Sequence, residues 1–311
     1  MHEDSDNSPR LLGIVIPTAR CTDYLVELLD SLLSQSDSGW EAVIVDDSGN
    51  GSVRRDLGVR RPKAKVSWLE NSTNLGLPQS WNVGLKIMQS RHRYFAIAVV
   101  HDDDLLHSDY VRETQNLMTN HPDIAVLHYR TRVIDGRGKR KLSVQDAVKS
   151  LFSPYLWNRS YVSEGDRGLA RILRNNFVFC PSMVFNTELL PEIEFDVHWR
   201  FVSDLDFVSR SLLSHHRFLR SPKPMYIYRR HRQNATSKFT DSTERFAEEI
   251  SLYKTLEKKC LESAFFESAA AARRRSSIRC HILYRMVLSL FRADKEKLRR
   301  LRRHWRDCVT R

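Results

Sequence analysis

The sequence predicts an α/β fold, a mostly parallel sheet flanked on both faces by helices, followed by a helical C-terminal extension. Three observations carry that expectation. Short apolar, β-rich runs alternate with segments whose apolar residues recur at helical spacing. That order places a crossover helix between successive parallel strands. Beyond about residue 240 only the helical period is left, with no strand between the last two segments.

The elements follow in order. Leu11 to Ile16 is a β-rich run stopped by Pro17, and Tyr24, Leu25, Leu28, Leu29, Leu32 and Leu33 then mark a helix. Glu41 to Val45 is a second strand that ends in Asp46-Asp47-Ser48-Gly49, Lys65 to Leu69 is a third, and Leu77 to Met88 is helical. Tyr94 to Val100, the most apolar stretch of the first half, breaks off into His101-Asp102-Asp103-Asp104. A helix from Tyr110 to Met118 and a strand from Ile124 to His128 come next. Residues 129–165 are less regular, with a hairpin turn expected at Asp135-Gly136. A helix from Gly168 to Arg174, a strand from Phe177 to Phe185, a helix from Asp204 to Leu213 and a strand near Met225 to Tyr228 follow. Phe239 to Leu261 and Ile278 to Val309 read as helices. The expected organisation is a disordered segment at 1–10, a domain at 11–240 with halves 11–130 and 131–240, and a basic helical extension at 241–311.

Composition narrows the class. With 311 residues, 41% hydrophobic and 28% charged, the chain can bury a large core, which excludes a disordered, collagen-like or disulfide-stapled protein. The five cysteines are scattered and never form a CxxC pair, so they read as reduced thiols in a cytoplasmic protein. No leader is expected at the polar, acidic start, and no window approaches the roughly 18 apolar residues of a membrane span. The net charge is +12, yet residues 273–311 hold fourteen Arg or Lys against three acids. The excess therefore sits in the tail, and residues 1–272 are nearly neutral. A nucleic-acid partner is not expected, because the body offers no extended phosphate-tracking surface and the tail has no aromatic interleaving.

In open α/β sheets ligands bind outside the carboxyl ends of the strands. Pro17-Thr18, Asp46-Asp47 and Asp102-Asp103-Asp104 all fall there. Three successive carboxylates at the end of a buried strand repel one another without a cation, and Mg²⁺ or Mn²⁺ takes hard oxygen ligands from protein, phosphate and water. A metal-bound diphosphate fits this arrangement; the other reading of the triplet is a solvated turn capping the next helix.

Four pieces in this order, Ile14-Val15-Ile16-Pro17-Thr18, Val43-Ile44-Val45-Asp46-Asp47-Ser48, Asn74-Leu75-Gly76 with Asn82-Val83-Gly84, and His101-Asp102-Asp103-Asp104-Leu105-Leu106 with Ser108-Asp109, resemble the nucleotide-sugar-binding half of inverting glycosyltransferase family 2, fold type GT-A. The resemblance covers residues 10–130 and continues more weakly to about residue 235. It implies that Pro17, Thr18, Asp47, Asn74 and Gly76 border the nucleotide, with Asp46 a neighbour able to substitute for Asp47. It implies Asp102 as the ribose- or phosphate-side carboxylate and Asp103 as the metal ligand, with Asp104 as its rival. His101 departs from the pattern, since many relatives carry an acid there. Ser203-Asp204-Leu205-Asp206 resembles the catalytic acidic motif, with Asp204 in the position of the general base. Asp206, two residues on, is turned about 200° round the helix and points elsewhere. Tyr228-Arg229-Arg230-His231 resembles the closing segment, in which His231 completes the metal sphere and Arg229 or Arg230 offsets the leaving charge.

The implied activity is metal-dependent transfer of a sugar, with inversion, from a UDP- or dTDP-sugar to an acceptor hydroxyl. A catalytically silent nucleotide-sugar-binding module is the alternative, and a nucleic-acid-binding protein using the basic tail ranks behind it. In the tail, Ile278, Ile282, Met286 and Leu290 form a stripe beside an Arg-rich face. That stripe suits packing on the catalytic domain, a homo-oligomer contact or peripheral attachment to the inner face of a membrane.

Overall fold

The computed structural model describes residues 10–57, 65–140, 159–175, 178, 180–231 and 242–310. Apart from Arg10, the segment expected to be disordered lies outside the described residues. In chain order the elements are β1 (Leu11–Thr18), α1 (Asp23–Leu33), β2 (Trp40–Asp46), α2 (Ser52–Leu57), β3 (Val66–Glu70), α3 (Leu77–Gln89), β4 (Tyr94–Val99), β5 (Leu105–Leu106), α4 (Tyr110–Asn120), β6 (Ile124–Asp135), β7 (Tyr161–Ser163), α5 (Gly165–Asn175), β8 (Met183–Asn186), α6 (Ser203–Leu213), β9 (Arg217–Arg230), α7 (Glu244–Glu262), α8 (Phe266–Arg274), α9 (Ser276–Phe291) and α10 (Lys295–Val309). The fold is mixed α/β with C-terminal helices. The described residues form two compact units, one from residues up to Leu127 with Pro181–Glu194 and Pro224–Ile227, the other from His128–Cys180, Phe195–Lys223 and the chain beyond Tyr228.

In the first unit β3, β2, β1 and β4 lie side by side and parallel, with Ile14 in register with both Ala42 and Ala98. β8 joins antiparallel, Ile97 opposite Phe185. Leu12, Ile14, Val15 and Ile16 of β1 are wholly buried, as are Ile44 and Val45 of β2, so both faces are covered and these strands read as continuous apolar runs. Each such side chain contributes about 1.5–3 kcal/mol on burial. α3 lies on β1 and β2 across Gly84, where a Cβ would come within 2.3 Å of Val15 Cγ1 and 2.9 Å of Val45 Cγ2. The helix can approach this closely only because the side chain is missing. α1 starts where Thr22 Oγ1 accepts from the Leu25 amide at 3.4 Å.

β1 does not stop at Pro17 but continues to Thr18. The Val15 carbonyl faces the β4 side, where it accepts from Val100 N, so the missing N–H of Pro17, two residues on, also faces that side, past the end of β4 at Val99. No ladder bond is lost. The expected strand Phe177 to Phe185 is shorter: a 3₁₀ turn, Cys180–Ser182, precedes β8, with Pro181 inside it, while Phe177 and Phe179 lie outside the described residues.

In the second unit β7 pairs antiparallel with β9, Val162 opposite Leu219. β9 is far longer than the Met225 to Tyr228 run that sequence suggests, because Pro222 and Pro224 read as terminators. They are two residues apart, so both missing donors fall on one side of the strand and the other keeps its bonds. α5 buries Leu169, Ile172 and Leu173, and α8 packs against it and α7. Asp166 caps α8 by accepting from the Glu267 and Ser268 amides at 2.8 and 2.7 Å. The single helix expected from Ile278 to Val309 is two, α9 and α10, packed on each other. The break comes at Ala293, φ +53°, after which Asp294 accepts from the Lys297 amide at 3.0 Å. Arg275, φ +47°, separates α8 from α9 and is itself buried. Its guanidinium donates to the carbonyls of Cys308 and Thr310 at 3.2 and 3.4 Å and faces Glu257 at 3.7 Å, while Arg279 donates to Cys308 O at 3.1 Å. None of the five cysteines forms a disulfide, and no described helix is long and apolar enough to cross a membrane.

Candidate active site

The loops that follow β1, β2 and β4 gather the polar residues of the first unit. Thr18 Oγ1 donates to Asp102 Oδ2 at 2.6 Å, tying the end of β1 to the loop after β4. Burial pushes the Asp102 carboxyl up to about 6, against the opposing pull of that hydrogen bond.

Asp46 and Asp47 divide their work. Asp46 is fully buried and accepts from the Ser48 amide at 3.0 Å and the Arg54 amide at 3.2 Å, which fixes the turn and caps α2. Asp47 Oδ1 accepts from Asn71 Nδ2 at 2.8 Å and Leu75 N at 2.9 Å, and Oδ2 from Gly76 N at 3.0 Å. Asn74 Nδ2 returns a bond to Asp47 O at 2.7 Å. This doublet shapes the loop between β3 and α3. Gly76, φ +80°, opens α3 in a conformation that favours glycine. Sequence marked Asp46 and Asp47 as nucleotide contacts; their carboxylates are engaged first by the chain itself.

After β4 the metal-ligating atoms of His101, Asp103 and Asp104 lie within 4.8 Å of one another, the one such group among the described residues. Asp104 is fully buried and accepts from Tyr226 Oη at 2.7 Å, while the His101 amide donates to the same hydroxyl at 3.3 Å. Burial and the neighbouring Asp104 raise the Tyr226 pKa, so the phenol keeps its proton and orients the carboxylate. Burial lowers the His101 pKa, which leaves a neutral imidazole with a lone pair to offer. Its Nε2 is buried with no hydrogen-bond partner among the described residues. Two carboxylates and a neutral imidazole form a donor set for a divalent cation such as Mn²⁺. Sequence found Asp103 and Asp104 but passed over His101 and Tyr226. For His101 the signal was present, since a histidine replacing an acid in an acidic run is still a ligand. Tyr226 lies 122 residues from Asp104 and nothing local marks it.

In the second unit Asp204 stands in the first turn of α6. Burial pushes its carboxyl up to about 6, opposed by the amides of Leu205 and Cys180, the former at 2.7 Å from Oδ1. The Cys180 thiol is in turn held protonated by burial and by the charge of Asp204. Asp206 is buried and paired with Arg210 Nε at 2.7 Å, turned to its own helix as the spacing predicts. α7 supports the approach to Asp204: Glu248 Oε2 accepts from the Phe201 amide at 2.7 Å, and the Arg245 guanidinium sits 4.3 Å from the Phe201 ring. Arg245 also draws the Asp204 pKa downward. At the end of β9, Arg229 is 1% exposed, whereas Arg230 is partly accessible, its guanidinium 6.0 Å from the Tyr228 ring. His231 follows directly and is partly exposed.

The glycosyl transferase family 2 model matches residues 13–187. An uncharacterized protein of Sinorhizobium fredii is 26% identical over 136 residues, 42% of this chain. An uncharacterized glycosyltransferase of Haemophilus influenzae is 26% identical over 119 residues, 38% of this chain. The chain spans only 14% and 38% of the length of these two curated relatives. An uncharacterized glycosyltransferase of Methanocaldococcus jannaschii is 20% identical over 211 residues, 67% of each chain. Among solved structures, S. aureus TarS 1-349 in complex with UDP-GlcNAc has a TM-score of 0.66 at 17% identity, covering 96% of this chain and 79% of that one. The mannosyltransferase PcManGT from Pyrobaculum calidifontis, in complex with GDP-Man and Mn²⁺, has a TM-score of 0.57 at 13% identity, covering 97% and 87%. These likenesses identify the fold as GT-A. With the family model matched over more than half its length, the chain is a member of glycosyl transferase family 2.

Proposed function

We propose that the protein is a metal-dependent inverting glycosyltransferase that moves a sugar from a UDP- or dTDP-linked donor to an acceptor hydroxyl. The observation that carries this reading is the His101–Asp103–Asp104 cluster beyond the carboxyl end of a central parallel strand in a family 2 chain. The nucleotide-sugar and Mn²⁺ complexes of the two structural neighbours support it. Mg²⁺ or Mn²⁺ would be held by His101, Asp103 and Asp104, with His231 as a further ligand. When bound, the cation offsets the charge of the departing diphosphate.

The chain's own groups do the rest. Thr18 fixes the rotamer of Asp102, which faces the ribose or phosphate side. Pro17, with Asn74 and Gly76 held by Asp47, borders the nucleotide beside Asp46. Arg229 and Arg230 offset leaving-group charge, the accessible Arg230 more directly. Asp204, ionised above about pH 6, takes the acceptor hydroxyl proton as that oxygen attacks the anomeric carbon from the face opposite the diphosphate, and the configuration inverts.

Nucleotide release from a panel of nucleotide sugars with Mn²⁺, repeated with EDTA, tests the proposal. Metal-dependent release from a UDP- or dTDP-sugar supports it. Donor binding without release under any acceptor condition would instead mark a silent nucleotide-sugar-binding module.

A further inference from the structure

α9 is apolar on two sides. Ile278 and Ile282 face inward and are buried, but Leu283, Tyr284, Val287, Leu290 and Phe291 form a second stripe that points to solvent. At 100° per residue these five span about 120° of the helix, with no charged side chain among them. Leu290 is 60% exposed and Phe291 86%. A helix with apolar residues on opposite sides is normally covered on both, so the outward stripe needs a partner.

The neighbouring helix says what kind. α10 packs on α9, buries Leu301 and Cys308, and turns Lys295, Arg299, Arg302, Arg303 and Arg306 outward as one continuous basic stripe about 100° wide. Its acids, Glu296 and Asp307, fall at one edge, where Glu296 pairs with Arg300 at 2.6 Å. A second copy docked through both stripes at once would bring this positive stripe against its own image, a repulsive arrangement. A nucleic acid would satisfy the arginines and leave the apolar stripe wet. An anionic bilayer satisfies both, with apolar side chains entering the acyl boundary and guanidinium groups lying among the headgroups.

We propose that the outward faces of α9 and α10 are a docking surface for an anionic lipid membrane. The surface is interfacial, and α9 lies in the plane of the bilayer. Cys280 is on the same outward stripe and is exposed, so it serves as a native reporter position.

The test is sedimentation of the full chain with phosphatidylcholine vesicles, with and without phosphatidylglycerol, at low and high salt. The expected result is binding only to the phosphatidylglycerol vesicles, weakened by salt, and a blue shift of an environment-sensitive dye on Cys280. Arg302→Gln and Arg306→Gln each weaken binding about fivefold. The double variant Leu290→Ser with Phe291→Ser weakens it more than tenfold while its melting curve stays at the wild-type position, because both side chains already face water. Three results overturn the proposal: no sedimentation with anionic vesicles, equal binding to uncharged ones, or a concentration-dependent dimer in light scattering that Phe291→Ser returns to monomer.

Discussion

Replacing Asp204 by Asn should make the protein more stable at neutral pH while disabling it. The carboxyl is shifted from 3.8 to about 6, a difference of about 3 kcal/mol at 1.36 kcal/mol per unit. A folded pKa raised above its unfolded value gives stability that is fully present below about pH 4 and lost as pH rises through 6. The wild type therefore gives up about 3 kcal/mol from this group by about pH 8, the cost of a buried charge. The amide variant has no proton to lose, so the cost is absent. The pull of the Leu205 and Cys180 amides on the charged form is already contained in that shift, so nothing further is subtracted for them. The gain at about pH 8 is therefore about 3 kcal/mol, or about 5 °C in Tm for a chain of this size, and it vanishes at about pH 4. Turnover falls by about 10² to 10⁴ as the base is lost. In the wild type kcat declines tenfold per pH unit below about 6, from the same ionisation. Melting curves and donor turnover across this pH range measure both effects. Parallel melting profiles for variant and wild type would refute the buried carboxylate, and unaffected turnover would refute the base.

Other substitutions separate binding from folding. Asp103→Asn should abolish Mn²⁺-dependent binding of a nucleoside diphosphate in calorimetry, because it removes a charged ligand from the proposed cation site. Asp47→Ala should destabilise by about 3 kcal/mol or more, since the Leu75 and Gly76 amides and Asn71 lose their acceptor together; denaturant melts read this. Gly84→Ala should cost about 1–3 kcal/mol or more by forcing α3 off Val15 and Val45, visible in the same melts. Glu248→Gln should lower kcat severalfold and leave donor affinity intact, because it loosens the Phe201 amide ahead of Asp204 without touching the first unit.

The elements most legible in the sequence are those whose signal is local. β1, β2 and β4 are buried on both faces and so are spelled out as apolar runs, and α1 shows its buried leucines at helical spacing. The lengths of β9 and β8 were hidden because prolines carry different meanings by position: Pro222 and Pro224 sit inside a strand, while Pro181 sits in the turn before one. The break between α9 and α10 was also missed. Its stripe of apolar residues continues across residues 292–294, and only Ala293, at positive φ, and the Asp294 cap divide it. Leu290, placed by its spacing on one stripe with Ile278 and Ile282, is exposed where they are buried. In the site, Asp103 and Asp104 were legible because consecutive carboxylates need a counter-charge. The internal duties of Asp46 and Asp47 were not, because their partners are backbone amides, which every residue but proline carries.

Arg275 gives the C-terminal helices a keystone. It is a buried cation whose partners include the carbonyls of Cys308 and Thr310, the last turn of the last helix. A chain cut just before Cys308 strips those acceptors from a guanidinium that the rest of the fold keeps buried, and Arg279 loses its Cys308 partner in the same cut. Shortening this protein from its end therefore destabilises the interior first, however dispensable the sequence of α10 looks. Surface properties of the tail can be cleanly dissected only by exchanging outward side chains on an intact backbone, and a fusion tag belongs beyond residue 310, where it leaves the keystone seated.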